Sequence, residues 1–223
     1  MNKKNFTINF GLSKFFDSIV YHHRKRMFKT LFQDDHANLY ESILDVGSTS
    51  DVSLSSNAFL RFLRAGRITS VSDQEITSQT INKFPHVNFI LCDALDLKFA
   101  SGSFDLVFSN AVLEHVGSIE NVSRFISECE RIGAKKVILI TPNRWFPLET
   151  HTKIFFLHWL PKRIFRRLLS KIGMGFFARE ENLNLLSLKD LKKIVRELNL
   201  EGVEFKYIKF FGIPSNIVLT IHK

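Results

Sequence analysis

Cysteines are few in this sequence and long hydrophobic runs are absent, and each shortage excludes a class of protein. The 223 residues include two cysteines, Cys92 and Cys129, without the CxxC spacing of zinc or redox sites. We expect both to be core thiols in a reducing compartment. No segment approaches the ~20 apolar residues of a membrane-spanning helix, and the N-terminus lacks the apolar run of a signal peptide. These absences predict a cytoplasmic protein.

The sequence also lacks the glycine-rich motifs that bind nucleotide phosphates. GxxxxGK(S/T) does not occur, and GxGxxG does not follow the first strand-like run. That run continues into ILDVGSTSD, residues 43–51, which contains only one glycine, Gly47. Nucleotide hydrolases and common NAD enzymes are therefore disfavoured.

Apolar residues are abundant, and positive charge is in excess. Hydrophobic residues make up 45% of the chain, which predicts a packed globule, and we interpret residues 1–223 as a single domain. The net charge of +9 is typical of proteins that bind nucleic acid, anionic membranes or acidic substrates.

Short apolar runs alternate with helical patterns along the chain. The runs predict strands at 43–46, 68–71, 87–91, 104–108, 137–140, 203–211 and 217–221. Helical spacing predicts a leading helix at 11–33 and later helices at 56–64, 76–83, 119–131 and 187–200. Alternating elements form a parallel sheet covered on both faces, whereas the last two strands, joined by a turn at 212–215, must be antiparallel. The predicted fold is α/β: a doubly wound, mostly parallel seven-stranded sheet with an antiparallel C-terminal hairpin.

Acidic residues lie at the ends of the first four predicted strands, and the fifth has none. They are Asp45, Asp73, Asp93 and Glu114. Ligands of doubly wound sheets bind beyond the carboxyl ends of the strands. Carboxylates accept hydrogen bonds from hydroxyl and amino groups, so these positions favour a ligand with such groups over one with phosphates.

The series ILDVGSTSD, ITSVSDQE, CDALDL, FDLVFSNAVLEHV and KKVILITPN, followed by a helix and a hairpin, resembles class I S-adenosylmethionine-dependent methyltransferases. The resemblance covers about Glu41 to Lys223 and is closest to the branch that acts on small molecules, quinones and glycans. It implies a Rossmann-like fold and S-adenosylmethionine as the cofactor. The implied cofactor-binding residues are Asp45, Gly47, Ser48 and Thr49 near the methionine part, Asp73 at the ribose with Glu75 in reserve, Asp93, Ala94 and Leu95 at the adenine, and Asn110 and Ala111 beside the sulfonium.

Loops of this family usually have glycines where this sequence has Thr49 and Asp51. Glycine permits close backbone approach or a positive φ, so the loop either keeps an ordinary backbone at these positions or has lost affinity for the cofactor. Asp51 at a helix start would cap free N–H groups. Asp45 and Asp93 have an alternative role as caps of their own loops.

Two histidines and a glutamate are the candidate catalytic residues. His115 follows the fourth strand, and Glu149 and His151 lie two residues apart in PNRWFPLETHT, where an extended chain would project both from one face. His151 is the first candidate for a base acting on an acceptor hydroxyl, His115 is the second, and Glu149 would orient the base. The alternatives are a packing role for His115 and a surface loop for the segment. Nothing in the sequence requires a metal.

A basic amphipathic segment at 160–177 lies within a lid-like insertion at about 145–182. Its basic residues include Lys162, Arg163 and Arg166, opposite apolar residues such as Phe165 and Leu169. It predicts a lid over the acceptor pocket, peripheral contact with an anionic membrane, or both. Nucleic acid is the least favoured partner, because no RNA-binding module accompanies the charge.

The sequence as a whole predicts a methyltransferase that uses S-adenosylmethionine and methylates an oxygen of a small-molecule, sugar or lipid-linked acceptor. Two alternatives stay open. A non-catalytic binding or scaffold protein would explain the glycine-poor loop, and an RNA methyltransferase would explain the charge. The sequence does not indicate the oligomeric state.

Overall fold

The computed structural model describes residues 10–32, 40–63 and 66–223, with side chains from residue 16 onward. The strands are β1 (Ser42–Val46), β2 (Arg67–Ser72), β3 (Val87–Leu91), β4 (Phe104–Asn110), β5 (Gly133–Pro142), β6 (Val203–Phe210) and β7 (Ile213–His222). The helices are α1 (Phe10–Leu31), α2 (Ser78–Lys83), α3 (Ile119–Ile132), α4 (Lys162–Lys171) and α5 (Leu188–Glu197). Helix α1 corresponds to the leading helix expected at 11–33, of which residue 33 lies outside the described residues.

One sheet joins all seven strands in the order β3-β2-β1-β4-β5-β7-β6. Strands β1 to β5 are parallel to one another, and β7 is antiparallel to both β5 and β6. The predicted fold class is therefore confirmed. The strand order reverses between β1 and β4, so a crevice opens beyond the carboxyl ends of these two central strands, where the acidic residues lie.

Each face of the sheet is covered by its own apolar layer. On one face α3 and α5 bury Phe125, Ile126 and Leu191. On the other face Met27 of α1 packs in a layer with Phe59 and Phe108. The alternation of strands and helices produces this arrangement because strands buried on both faces need helices on both sides. The crevice therefore lies on a rigid scaffold.

Two predicted elements near the crevice are wrong in detail. The helix expected at 56–64 is only a 3-10 turn at Ala58–Arg61, preceded by Asn57 with a left-handed φ of 50°; residue 64 lies outside the described residues. The turn expected at 212–215 is tighter. Phe211 and Gly212 both have positive φ and form the two-residue loop that suits the twist of a hairpin, so β7 begins at Ile213.

The basic amphipathic segment is also shorter as a helix than predicted. Helix α4 ends at Lys171, because Gly173 takes a left-handed φ of +82°. The N–H of Met174 donates to the carbonyl of Leu169 (2.9 Å) and that of Gly173 to Ser170 (3.4 Å), which is the Schellman pattern of a helix end.

Helix α5 begins as predicted. Ser187 and Asp190 form a capping box, in which each side chain accepts from the backbone N–H of the other residue. In the described part of the chain, no helix has the length and apolar character needed to cross a membrane.

Candidate active site

A cavity of about 410 Å³ lies at the carboxyl ends of β1 to β4, and we call it the first cavity. Eight of the ten cofactor-binding residues implied by the sequence line it: Gly47, Ser48, Thr49, Asp73, Asp93, Ala94, Leu95 and Ala111. The other two, Asp45 and Asn110, do not. Because four separate strands contribute to the wall, the sheet itself brings these residues together.

The loop after β1 explains how a glycine-poor sequence forms this wall. Gly47 has a φ of +103°, and a Cβ atom placed on it would lie 2.1 Å from Cγ2 of Val112, so only glycine fits. Neither Thr49 nor Asp51 has a positive φ. Asn57 holds the loop by accepting from the N–H of Thr49 (3.0 Å) and donating to its carbonyl (2.7 Å). The backbone therefore needs glycine at one position of this loop and not at the other two.

The two acids that flank this loop have structural partners. Asp45 is buried behind the wall, and Ser70 Oγ donates to its Oδ2 (2.6 Å). Burial raises the pKa of Asp45 to about 6, against the opposing effect of the Ser70 hydrogen bond. Asp51 accepts from the N–H of Ser53 (3.0 Å) and from Oγ of Ser56 (2.5 Å). The expectation that Asp51 caps a helix is wrong, because no helix begins there.

Two carboxylates give the first cavity its polar character. Asp93 lies on the wall and also caps its own loop, since its Oδ1 accepts from the N–H of Leu95 (2.8 Å). Asp73 is exposed on the wall, whereas Glu75, the reserve candidate, does not line it. Among the described residues that line the cavity, none is lysine or arginine. The wall therefore offers acceptors for hydroxyl and amino groups and no cation for a phosphate.

The expectation that both cysteines are core thiols is wrong for one of them. Cys129 is fully buried in the core as expected, but Cys92 is only partly buried and lines the first cavity. Its position directly after β3, at the end of a parallel strand, was the available signal. Ser72 and Gln74 also line the cavity. They were not predicted as site residues, although they too lie at the end of a parallel strand, β2.

A second cavity of about 450 Å³ adjoins the first. Its wall is mostly apolar and comes from α1, the segment after β5 and the β6–β7 hairpin, including Phe16, Met27, Phe146, Phe210 and Phe211. Asn110 lines this second cavity. Ala111 lines both cavities and has a left-handed φ of 59°, a conformation that a non-glycine residue rarely adopts without a functional reason.

The three candidate catalytic residues meet at the boundary of the two cavities. His115 lines the first cavity, and His151 and Glu149 line the second. The Nε2 atoms of His115 and His151 are 3.0 Å apart, and Nδ1 of His151 lies 2.8 Å from Oε1 of Glu149. Nδ1 of His115 lies 2.8 Å from the carbonyl oxygen of Asn182. The structure thus joins residues that are 36 positions apart in the sequence.

Burial and hydrogen bonding set the charges of this group. Burial acts to raise the pKa of Glu149, but the hydrogen bond and charge of His151 and the N–H of Thr152 lower it to about 2. Burial acts to lower the pKa of His151, but the hydrogen bond to Glu149 and the charges of Glu114 and Glu149 raise it above its ordinary value. Glu149 is therefore an anion that holds its neighbour in one orientation.

Glu114 completes the group and was not among the predicted catalytic residues. It is fully buried, and its Oε2 accepts from Oγ1 of Thr141 (3.0 Å). Its Oε1 lies 3.9 Å from Nε2 of His115 and has no hydrogen-bond partner among the described residues. Its place at the end of the fourth strand marked it as one of the acids near the crevice, but nothing in the sequence indicated its burial.

The lid-like insertion packs through a small apolar cluster of its own. Phe165 and Leu169 of α4 are buried against Leu183 and Leu185. Of the sixteen large apolar side chains that are exposed in the described residues, eight lie between positions 145 and 176: Trp145, Phe155, Phe156, Trp159, Leu160, Ile164, Ile172 and Phe176. The insertion therefore keeps an apolar surface outside as well as a buried one inside.

Comparison with known proteins agrees with this geometry. Residues 44–141 match the model of the family described as "Methyltransferase domain". Among similar solved structures, magnesium protoporphyrin IX methyltransferase from Synechocystis PCC 6803, with bound S-adenosylhomocysteine, gives a TM-score of 0.61 at 17% identity, covering 98% of this chain and 89% of that one.

Two further solved structures have a similar fold and different names. The 1,6-didemethyltoxoflavin-N1-methyltransferase from Burkholderia thailandensis gives a TM-score of 0.54 at 12% identity, covering 100% of this chain and 93% of that one. The N-methyltransferase NodS from Bradyrhizobium japonicum gives 0.53 at 9% identity, with coverage of 91% and 85%. The family match and the shared fold agree with the resemblance seen in the sequence: residues 44–141 match the methyltransferase domain family, and the chain has the class I methyltransferase fold.

Proposed function

We propose that the chain binds S-adenosylmethionine in the first cavity and methylates an oxygen of a small-molecule acceptor bound in the second. One observation carries the proposal. The two cavities share Ala111 and meet at His115 and His151, so a cofactor in one and an acceptor in the other would face each other across this boundary. The apolar second wall suits an acceptor with a large apolar part.

The residues of the first cavity fit this cofactor. Its volume lies within the usual range of ligand sites, roughly 300 to 1,000 Å³. Asp73 and Asp93 offer carboxylate acceptors for the ribose hydroxyls and the adenine amino group, while Ala94 and Leu95 offer apolar contact for the ring. Because Gly47 has no Cβ, Val112 can pack against the loop after β1, and the backbone of this loop forms the wall that would face the methionine part.

The chain supplies alignment and control of a proton. Bound S-adenosylmethionine supplies a methyl group that its sulfonium has already activated for in-line displacement. Glu149 fixes the ring of His151 through Nδ1, so Nε2 is the atom that can hold or accept the proton of an acceptor hydroxyl. The walls of the second cavity orient the acceptor, and positioning of this kind is a large part of the rate enhancement in such transfers.

The comparisons do not indicate one class of acceptor. The similar structures are named for a porphyrin, for a toxoflavin precursor methylated at a nitrogen and for an N-methyltransferase activity. We place a lipid-linked or glycan acceptor within the proposal because the mostly apolar wall of the second cavity would suit the apolar part of a lipid-linked acceptor, including one that carries a sugar. Oxygen is our choice of methylated atom because the histidine pair suits removal of a hydroxyl proton.

Calorimetric titration with S-adenosylhomocysteine tests the cofactor site. We expect micromolar binding to the unmodified protein and a loss of at least about tenfold in Asp93→Ala and in Asp73→Ala, because each removes a charged acceptor. Glu75→Ala is the matched control: it removes a carboxylate two residues from Asp73 that does not line the cavity. A folded protein without affinity would favour the scaffold alternative.

Turnover with paired acceptors tests the second half of the proposal. We expect transfer to an aromatic hydroxyl and little transfer to the matching amine, with His151→Gln reducing kcat by about 10² to 10⁴ while leaving the affinity for S-adenosylhomocysteine unchanged. Faster transfer to the amine would move the proposal to nitrogen.

We further propose that the whole chain is one domain located in the cytoplasm, with the insertion at 145–182 as a lid that contacts anionic membrane surfaces. Exposed Ile164, Ile172 and Phe176 lie on the same segment as Arg163 and Lys171, a combination typical of interfacial helices. Sedimentation with phosphatidylserine vesicles tests this. We expect Ile164→Ser with Phe176→Ser to abolish binding, whereas Ile81→Ser, an exposed apolar residue of α2, leaves it unchanged.

A further inference from the structure

The group at the boundary of the cavities brings three potential metal-ligand atoms close together. Asn182 contributes a carbonyl oxygen to Nδ1 of His115, and Glu149 contributes a carboxylate oxygen to Nδ1 of His151. Both oxygens can only accept hydrogen bonds. Each Nδ1 therefore carries the hydrogen, which leaves Nε2 of each ring as the atom that can bind a metal ion, and the two Nε2 atoms lie 3.0 Å apart.

A third potential ligand atom lies beside the two Nε2 atoms. Oε1 of Glu114, buried and without a hydrogen-bond partner among the described residues, is 3.9 Å from Nε2 of His115. All three atoms lie within 4.8 Å of one another. An unpaired carboxylate oxygen in the interior is costly unless a positive charge balances it. Two imidazole nitrogens and one carboxylate oxygen that converge in this way form a potential site for a cation.

We propose that Glu114, His115 and His151 bind a divalent transition-metal ion, with zinc as the best match. Two imidazole nitrogens and one carboxylate oxygen, with a fourth position left open, are the ligand set of catalytic zinc sites. Metal–nitrogen bonds of about 2.0 to 2.1 Å in tetrahedral geometry place the ligand nitrogens roughly 3.3 Å apart, close to the 3.0 Å between the two Nε2 atoms.

The surroundings of the three ligands support a metal over chance proximity. Histidines that bind metals usually donate their other N–H to a carboxylate or a carbonyl, as His151 does to Glu149 and His115 to Asn182. Glu114 is oriented by Thr141. The nearby cation, Arg24, interacts with the charge of Glu114 but donates to the carbonyl of Ser55 (2.7 Å), and Oε1 of Glu114 has no hydrogen-bond partner among the described residues.

The position of the ion suggests its task. His115 lines the first cavity, and Glu114 and His151 line the second, so the open coordination position would lie where the acceptor meets the cofactor. A hydroxyl bound there would release its proton to solvent water more readily because the cation lowers its pKa, and His151 would then act as a ligand in place of a base. This role rests on the function proposed above, whereas metal binding itself does not.

Metal titration of tag-free protein, stripped with a chelator, tests the site directly. We expect one Zn²⁺ per chain by calorimetry with a Kd well below micromolar, and a visible absorption band of tetrahedral type with Co²⁺. His151→Gln should weaken Zn²⁺ binding at least about 100-fold, and Glu114→Gln should do the same if it folds. Glu149→Gln, which changes the partner of His151 Nδ1 without removing one of the three proposed ligands, should weaken it by about 10 to 100-fold.

The control variant is His222→Gln, because His222 and Glu204 form an exposed pair 3.9 Å apart that could bind metal adventitiously. It should leave the stoichiometry and affinity unchanged. Absence of Zn²⁺ binding in the unmodified protein, or its loss in His222→Gln, would overturn the proposal and leave a proton shared between the two rings. S-adenosylhomocysteine titrations of the same samples keep the two proposals apart, since failure of one ligand to bind does not affect the test of the other.

Discussion

The first and second cavities adjoin, but the chain builds them in different ways. The first is formed by the ends of parallel strands within residues 44–141, the part that matches the methyltransferase domain family. The second is formed by α1, the segment after β5 and the C-terminal hairpin, elements far apart in the sequence. Under the function proposed above, cofactor binding is therefore a property of the sheet, while acceptor choice depends on segments added to it.

The apolar cores follow the same division. Phe125 belongs to the large cluster between the sheet and its helices, whereas Phe165 belongs to the small cluster of the insertion. A small cluster on the outside of a sheet can open without unfolding the rest, because few buried contacts join the two. The insertion is therefore expected to be the less stable of the two regions.

The largest expected effect is on stability, and it compares these two phenylalanines. Phe125→Ala should lower the free energy of unfolding by about 3 to 5 kcal/mol. Phe165→Ala should lower it less in global denaturation and should speed hydrogen exchange within residues 153–183, with the affinity for S-adenosylhomocysteine unchanged. Chemical denaturation and exchange mass spectrometry measure both. Equal losses of the free energy of unfolding in the two variants would mean that sheet and insertion unfold as one unit, which would contradict the expected difference in stability.

The next effect sharpens the role of the first cavity. Gly47→Ala should cost about 1 to 3 kcal/mol through its left-handed backbone and should reduce the affinity for S-adenosylhomocysteine by more than about tenfold, because the added methyl displaces Val112. Gly212→Ala is the control: its φ of +80° is similar, but nothing lies within 4 Å of the added atom. It should lose stability and keep its affinity. Retained affinity in Gly47→Ala would separate this loop from the cofactor.

The same division explains how much of the fold the sequence predicted. The seven strands were predictable from short apolar runs, and their parallel or antiparallel direction from the lengths of the connections between them. The start of α5 was predictable from its capping box. The helix expected at 56–64 failed because side chains satisfy the backbone locally: Asn57 binds the N–H and the carbonyl of Thr49, and Asp51 accepts from the N–H of Ser53. Helix α4 ended early because Gly173 sits where a left-handed residue can close the helix. Such endings depend on single residues and not on periodicity.

The candidate site divides in the same way. Residues of the first cavity were predictable because the ends of parallel strands lie at one edge of a sheet. Asp45 was expected there too, but the alternation of a strand turns it inward to Ser70. The contact between His115 and His151 was not predictable, since it depends on where the segment after β5 folds back. Burial of Glu114 depends on the same packing.

The smallest expected effect concerns Asp45 and the pH dependence of stability. Its pKa is about 6 in the folded chain and close to 3.9 when unfolded. Between these values the folded state binds more protons, so stability rises as the pH falls. Linkage gives a gain of about 1 kcal/mol from pH 7 to pH 5. Asp45→Asn, which can still accept from Ser70, should remove this gain in denaturation curves measured at the two pH values.

The same variant tests whether Asp45 belongs to the sheet or to the ligand. The resemblance to methyltransferases implies a role at the methionine part of the cofactor, whereas the structure places the carboxyl behind the wall with Ser70 as its partner. If the role is structural, Asp45→Asn should keep the affinity for S-adenosylhomocysteine within about threefold while losing the pH dependence. A loss of affinity above about tenfold would show that a bound cofactor interacts with Asp45. The wall of the first cavity would then include this buried carboxyl.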